Sequence, residues 1–316
     1  MRKVLLILLA ILAAFGALTL WRAHHHEAQA MADFPPEGQF IEVNGHKVHV
    51  VVRGNGPDLV LIHGASGSTR DYTFSLVEKL QNDFRVIVFD RPGLGYTPRL
   101  NVKGESLEEQ AALLSAAAEQ LGADRPIVLG QSFGGAVALA WAVHHPDRMA
   151  GLVLLAAPSN PWTTPVDPLY RVTASALGAR LVVPLLTAWV PDSYVENALD
   201  GVFEPQDAPK GYAEYFGPAI TLRRNTMIAN ARQRVRLLED IKALIPHYGD
   251  IAVPTELLHG DKDTIVGLSI HSAKLVNQIP GARLTVLDGI GHMPQHVSQP
   301  EVISAIARTA QRAGLK

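Results

Sequence analysis

The chain has 316 residues, is 47% hydrophobic, and carries 28 basic against 30 acidic side chains, a formal net charge of −2. That length suits one large α/β domain or two small ones, and the balanced charge offers no basic surface for nucleic acid. Cysteine is absent, which excludes disulfides, thiolate metal sites and a cysteine nucleophile and leaves the redox compartment unmarked.

The first stretch stands apart. Arg2 and Lys3 precede an apolar run from Val4 to Trp21, closed by Arg22. The run is long enough for a membrane span and longer than the apolar part of a signal peptide. Ala28-Gln29-Ala30 would serve as a cleavage site, but an uncleaved anchor is the preferred reading. Residues 1–22 are therefore expected to be an anchor or signal, and 23–37 a polar linker in which His24-His25-His26 is solvated. Basic residues ahead of the run place the body on the non-cytoplasmic side: periplasmic or extracellular in a bacterium, secreted if the segment is removed. Residues 1–22 hold three basic and no acidic side chains, so the body carries 25 against 30, a formal charge of −5.

Phe40–Val43 and Lys47–Val52 flank Asn44-Gly45, a two-residue hairpin signal. Buried strands are predicted at Leu59–Ile62, Arg85–Phe89, Pro126–Leu129 and Leu152–Leu155, alternating with helices at Asp71–Leu80, Ser106–Leu121 and Gly134–His145. Ser106 and Glu109 form a capping box at the second of these helices. Alternation of this kind means a parallel sheet wrapped on both faces. It stops at Pro158. Up to Asp250 the pattern is helical only, as at Tyr170–Leu186 and Ala219–Leu244, and then strands return at Thr255–Leu258 and Arg283–Leu287, with helices at Leu268–Gln278 and Gln299–Ala313. The expected domain is thus residues 38–157 and 251–316, with 158–250 inserted between two strands of one sheet.

Gly130-Gln131-Ser132-Phe133-Gly134 joins a predicted strand to a helix. In this G-x-S-x-G turn the glycines two before and two after the serine permit a bend tight enough to expose its hydroxyl beside the positive end of the helix. A serine hydroxyl needs a base, and the base needs a group that fixes its tautomer. His292, in Gly289-Ile290-Gly291-His292 directly after the last strand, is the preferred base among thirteen histidines, with His296 its nearest rival. His63 and His259, each before a glycine at a strand end, read as structural. Asp263, backed by Ile265-Val266, is preferred as the acid over Asp261, which reads as a turn cap. The order Ser132, Asp263, His292 is that of an α/β-hydrolase.

On four signatures the chain resembles the α/β-hydrolase superfamily over residues 38–316: His63-Gly64 with its small loop, Asp90-Arg91-Pro92-Gly93-Leu94-Gly95, the turn at Ser132, and Gly291-His292. It looks most like the capped esterase, haloperoxidase-like and carbon–carbon hydrolase branches. The resemblance implies a mostly parallel eight-stranded sheet with helices on both faces, and residues 158–250 as a helical cap. It implies an oxyanion hole from the backbone N–H of Ala65 and Phe133, and no metal or organic cofactor. A serine nucleophile separates the chain from the aspartate-dependent dehalogenases and epoxide hydrolases of that superfamily. Gln131 carries little diagnostic weight. In the insertion, Trp162, Tyr170 and Phe216 are named as pocket residues, although most of its aromatics read as core; Arg223-Arg224 reads as exposed helix charge. The expected activity is hydrolysis of a small-molecule carboxylic ester with an apolar acyl or aromatic part. Carbon–carbon bond cleavage or cofactor-free haloperoxidase or perhydrolase chemistry are the alternatives, and a non-catalytic binding role is the less favoured class. Oligomeric state is not legible.

Overall fold

A computed structural model describes all 316 residues. Eight strands form one sheet: β1 (Gln39–Val43), β2 (His46–Arg53), β3 (Asp58–Ile62), β4 (Arg85–Phe89), β5 (Ile127–Gln131), β6 (Gly151–Leu155), β7 (Thr255–Gly260) and β8 (Arg283–Leu287). Their spatial order is β1-β2-β4-β3-β5-β6-β7-β8, and only β2 runs against its neighbours. β1 and β2 are joined at Asn44-Gly45, both at positive φ, as a two-residue hairpin of this composition demands.

Strands β3, β5 and β6 are buried almost end to end, which is why they read as unbroken apolar runs and not as alternating ones. Their pleat still sorts side chains to two faces. Val60 and Ile62 pack in one layer with α2 (Leu107–Gln120) and α3 (Phe133–His144), around Trp141. Leu59 and Leu61 face the other layer, against Val302, Ala305 and Ile306 of a C-terminal helix, Gln299–Arg312. The capping box at α2 is formed: Ser106 Oγ accepts from Glu109 N at 3.0 Å, and Ser106 N donates to the Glu109 carboxylate at 2.7 Å.

From β3 the chain goes to β4 on one side, then returns to β5 on the other. The loops leaving β3 and β5 therefore diverge and open a crevice at the carboxyl edge of the sheet. Between β6 and β7 every regular element is helical, with α4 (Pro168–Ala174), α5 (Ala176–Trp189), α6 (Asp192–Phe203) and α7 (Arg224–Leu244) as the longer ones.

Several expectations are corrected: the helix expected over 268–278 is a single short turn, Ser272–Leu275, and that over 219–244 is broken between Thr221 and Arg224. The helix expected over 170–186 is two helices bent by 110° at Ser175, because Ser175 Oγ accepts from Gly178 N (3.0 Å) and caps a new helix there. The one expected over 71–80 is two short turns, Arg70–Thr73 and Leu76–Leu80. The linker expected over 23–37 is helix up to Asp33, continuous with the apolar run in α1 (Arg2–Asp33). Residues 23–33 are rich in good helix formers and contain neither Gly nor Pro. They also have partners: Ala23 and Ala30 are buried, His26 Nε2 lies 3.0 Å from Asp192, and Arg224 grips Glu27 through Nε and Nη2 at 2.9 and 2.7 Å. Arg224 is thus a clamp on α1 and not free helix charge.

Candidate active site

Ser132 follows β5 and caps α3, at φ 50° and ψ −123°. A non-glycine residue here is strained by roughly 1–3 kcal/mol and persists only where its surroundings enforce it. They do so by close approach: a Cβ on Gly130 would lie 2.2 Å from Gly134 O, and one on Gly134 would lie 2.1 Å from Ile62 O. Strand β3 thereby presses against the start of α3, and Phe133 becomes the first helical residue, whose N–H has no acceptor within the helix. The β3 loop runs just as close, since a Cβ on Gly64 would lie 3.3 Å from Ser132 Cβ.

Asp263 and His292 meet from neighbouring loops. Asp263 Oδ2 accepts from His292 Nδ1 at 2.7 Å and lies 3.2 Å from His259 Nε2, while Oδ1 accepts from Ile265 N and Val266 N, both at 2.8 Å. Burial opposes the charged form of Asp263, but the histidine hydrogen bonds, the charge of His292 and the backbone N–H groups outweigh it and hold the carboxyl well below the ordinary range. Asp261 lies apart, accepting from Gly289 N (2.7 Å) and pairing with Lys262 (2.8 Å).

Ser132 and His292 line one cavity of about 330 Å³, together with Gly64, Ala65 and Gln131 of the core. The rest of its wall comes mainly from the insertion, including Leu186, Val190, Leu199 and Val202, with Tyr170 and Phe216 among them. Trp162 is outside it. Its ring packs on His271 at 5.8 Å, which corrects the expectation that it lines the pocket: the segment after β6 turns back over the core before the insertion begins.

His63 is buried, with Nδ1 on Gly64 O (2.9 Å) and Nε2 accepting from Arg91 N (3.0 Å). Desolvation and the Arg91 charge push it down to about 4, so it is neutral and structural. Arg91 is wholly buried and donates to His63 O and Gly64 O, both at 2.9 Å, with its guanidinium 4.3 Å from the Phe133 ring centroid. It holds the β3 loop against the serine turn.

Three residues escaped the sequence reading. Gln131 Nε2 donates to His292 O at 3.1 Å, tying the histidine loop to the serine turn. Asn230 of α7 exchanges two hydrogen bonds with Ser66 (3.0 and 2.9 Å), fixing the β3 loop from the insertion. Asp71 is buried on the cavity wall and accepts from Tyr212 Oη and His296 Nε2, both at 2.8 Å. Burial opposes its charge, but those two partners hold its carboxyl below the usual range. His296, the rival base, is committed to this pair. Each of these partnerships joins residues more than 140 positions apart, and no local pattern announces them.

Known proteins align along most of the chain. A haloalkane dehalogenase of Mycobacterium bovis is 25% identical over 289 residues, covering 86% of this chain and 94% of that protein. A 2-hydroxy-6-oxo-2,4-heptadienoate hydrolase of Pseudomonas putida is 29% identical over 262 residues, covering 81% and 87%. The crystal structure of a membrane phospholipase A, described as a bacterial virulence factor, superposes with a TM-score of 0.65 at 20% identity, covering 98% of this chain and 99% of that one. The sequence profile described as the alpha/beta hydrolase fold matches residues 57–299, more than half of the chain, which therefore belongs to the α/β-hydrolase family.

Proposed function

We propose that this hydrolase is a membrane-anchored serine esterase that works through an acyl-enzyme, with residues 158–250 as a cap over the site. The observation that carries the reading is the strained Ser132 sharing a mostly apolar cavity with a His292 whose Nδ1 is held by an ionised Asp263. Ser132 attacks the acyl carbon while His292 Nε2 takes its proton, and Asp263 stabilises the imidazolium. The N–H groups of Ala65 and Phe133 receive the oxyanion, each donor contributing about 3 kcal/mol or somewhat more in comparable sites. The imidazolium protonates the leaving alkoxide; the neutral ring then activates water to release the acid.

A fluorophosphonate probe tests this directly: it should label wild type and not Ser132→Ala, and absence of labelling would mean the wrong nucleophile. A panel of p-nitrophenyl esters of graded acyl length then reads the pocket.

Carbon–carbon bond cleavage is the second reading. It is favoured by the Pseudomonas putida relative and by Arg234, which lines the cavity over the Tyr170 ring at 4.5 Å and would suit a substrate carboxylate. The Asp71 carboxylate on the same wall argues for a neutral substrate instead. A vinylogous diketone acid in the panel separates the two.

The anchor part rests on α1. Val4 to Trp21 would span about 27 Å as helix, close to a bilayer's hydrocarbon core. Arg2 and Lys3 favour the catalytic body on the non-cytoplasmic side. Resistance to carbonate extraction and access of added protease to the body of intact spheroplasts test attachment and side.

A further inference from the structure

Helix α5 is amphipathic in the wrong sense for a soluble protein. Val183, Pro184, Thr187 and Ala188 are buried, whereas Leu177, Leu181, Leu185 and Trp189, spaced four apart on another face, are each more than a third exposed. Leu177 is 69% and Leu181 59% exposed. Val172 at the end of α4 continues the patch. Contiguous apolar surface of this kind marks a contact with something apolar.

The N-terminal helix identifies the contact. It packs alongside α5, and the two are pinned together by a stack of Phe15 on Trp189 (5.9 Å) and by Trp189 Nε1 donating to Thr19 Oγ1 (3.2 Å). Phe15 and Thr19 lie inside the Val4–Trp21 run, Phe15 about 9 Å of helix rise short of Trp21. If that run occupies the bilayer, Trp189 is carried to the depth of its outer edge, and α5 lies on the surface there. Charge agrees. Residues 168–190 contain Arg171 and Arg180 and no acidic residue, as a face meeting phosphate headgroups requires. The 110° bend between α4 and α5 and the buried back of α5 suit a helix lying in the interface and not one crossing it.

The cavity opens beside this face. Leu169 and Tyr194 line it and are also 45% and 65% exposed, so they border its mouth, one on each side of α5 in sequence. We infer that the α4–α5 face of the cap seats on the lipid bilayer and delivers to Ser132 a water-insoluble, long-chain acyl ester dissolved in it. The inference rests on the anchored-esterase reading above and adds the surface and the substrate class.

The absence of cysteine allows a clean test on the full chain. Single variants Leu12→Cys, Leu181→Cys and Val286→Cys, the last exposed on edge strand β8, are labelled with a fluorophore and reconstituted in phosphatidylcholine vesicles containing spin-labelled lipid. Quenching at positions 12 and 181 but not 286 is expected. A label at 181 as unquenched as that at 286 overturns the seating while leaving the anchor intact; quenching at 181 without quenching at 12 removes the anchor and keeps the seating. Protection at 181 from both lipid and aqueous quenchers means that a second copy covers the face, and also overturns it. In the same vesicles, Leu177→Ser/Leu181→Ser should lower hydrolysis of 4-methylumbelliferyl oleate at least about tenfold, since two leucines leave the lipid, with p-nitrophenyl acetate hydrolysis within about twofold of wild type. Equal loss on both esters, or none on the oleate, refutes delivery from the bilayer. Failure of wild type on both esters removes the esterase reading, and the quenching result still decides the seating.

Discussion

Asparagine at position 263 keeps the size of the aspartate and reverses the sense of one hydrogen bond. Oδ1 of Asp263 accepts from Ile265 N and Val266 N, so the asparagine carbonyl takes that place and its amide nitrogen turns to His292 Nδ1. Two donors would then face each other across 2.7 Å. His292 escapes only by moving its proton to Nε2, the nitrogen that must accept the proton of Ser132. The imidazolium formed during attack also loses its counter-charge. In an analogous triad the same change costs about 10⁴ in rate, or roughly 5 kcal/mol of barrier. We expect Asp263→Asn to lower kcat on a p-nitrophenyl ester by about 10³–10⁴ with little change in KM, because the mutation touches transition-state charge and not the pocket. Asp261→Asn is the control: its partners are Gly289 N and Lys262, and its loss should stay below about tenfold. Steady-state kinetics at pH 8, with thermal melts to verify folding, decide it. More than about a tenth of wild-type activity in Asp263→Asn, or a larger loss in Asp261→Asn, would refute the assignment of the acid.

Ser132→Ala should abolish turnover and leave the melting temperature within a few degrees, since alanine at φ 50° is strained no more than serine; retained esterase activity would point to another nucleophile. Gln131→Leu removes the donor to His292 O and should reduce kcat by about fivefold to tenfold, the worth of one neutral hydrogen bond, and an unchanged kcat would show the tie to be idle. Buried His63, pushed down to about 4, binds protons more readily in the unfolded chain between that value and its ordinary pKa near 6.5. Stability should therefore fall as pH drops through this window, by about 2 kcal/mol at pH 5 from His63 alone, read as a lower urea midpoint; equal midpoints at pH 7 and pH 5 would contradict it. Below that window Asp263, whose carboxyl is held low, adds further acid loss as it protonates. A chain lacking residues 1–22 should melt higher than one lacking 1–33, because the second also loses the Glu27–Arg224 clamp and buried Ala30, together about 3 kcal/mol; equal melting would mean that α1 docks too weakly to matter.

The N-terminal helix shows where sequence reading ran short and why. Its apolar run was legible from composition. Its continuation to Asp33 was not, because polar residues after Trp21 carry the same letters whether they are solvated or paired with Asp192 and Arg224. The break at Ser175 had a local sign, a serine three residues before the N–H it caps, but the apolar residues on both sides masked it. The expected strand Pro126–Leu129 starts one residue before β5 and stops two short of its end; Gly130 and Gln131 continue the ladder to β6 although neither is apolar, since the pairing is backbone to backbone.

The positions of Ser132, Asp263 and His292 were legible for a different reason: a parallel sheet sends the loop after every strand to the same edge. Gln131 pairs with Leu155 on β6, and Gly260 pairs with Leu287 on β8, so the loops after β7 and β8 leave side by side. Lys262 N donates to Ile290 O at 2.9 Å between those loops, and three residues past Gly260 meets five past Leu287 as Asp263 and His292. Knowing the strands and their direction is then nearly enough to place the three groups. The cavity wall obeys no such rule. Asp71, Tyr212 and His296 converge from a short helix after β3, from the insertion and from the loop beyond His292, and their meeting depends on how the insertion sits over the sheet. Reactivity in this fold follows from backbone topology that short apolar runs alternating with helices reveal, whereas selectivity follows from side-chain packing between layers that leaves no such pattern behind. Substitutions at Asp71 and Arg234 should accordingly redistribute activity across the ester panel, and those at Asp263 should depress every member of it alike.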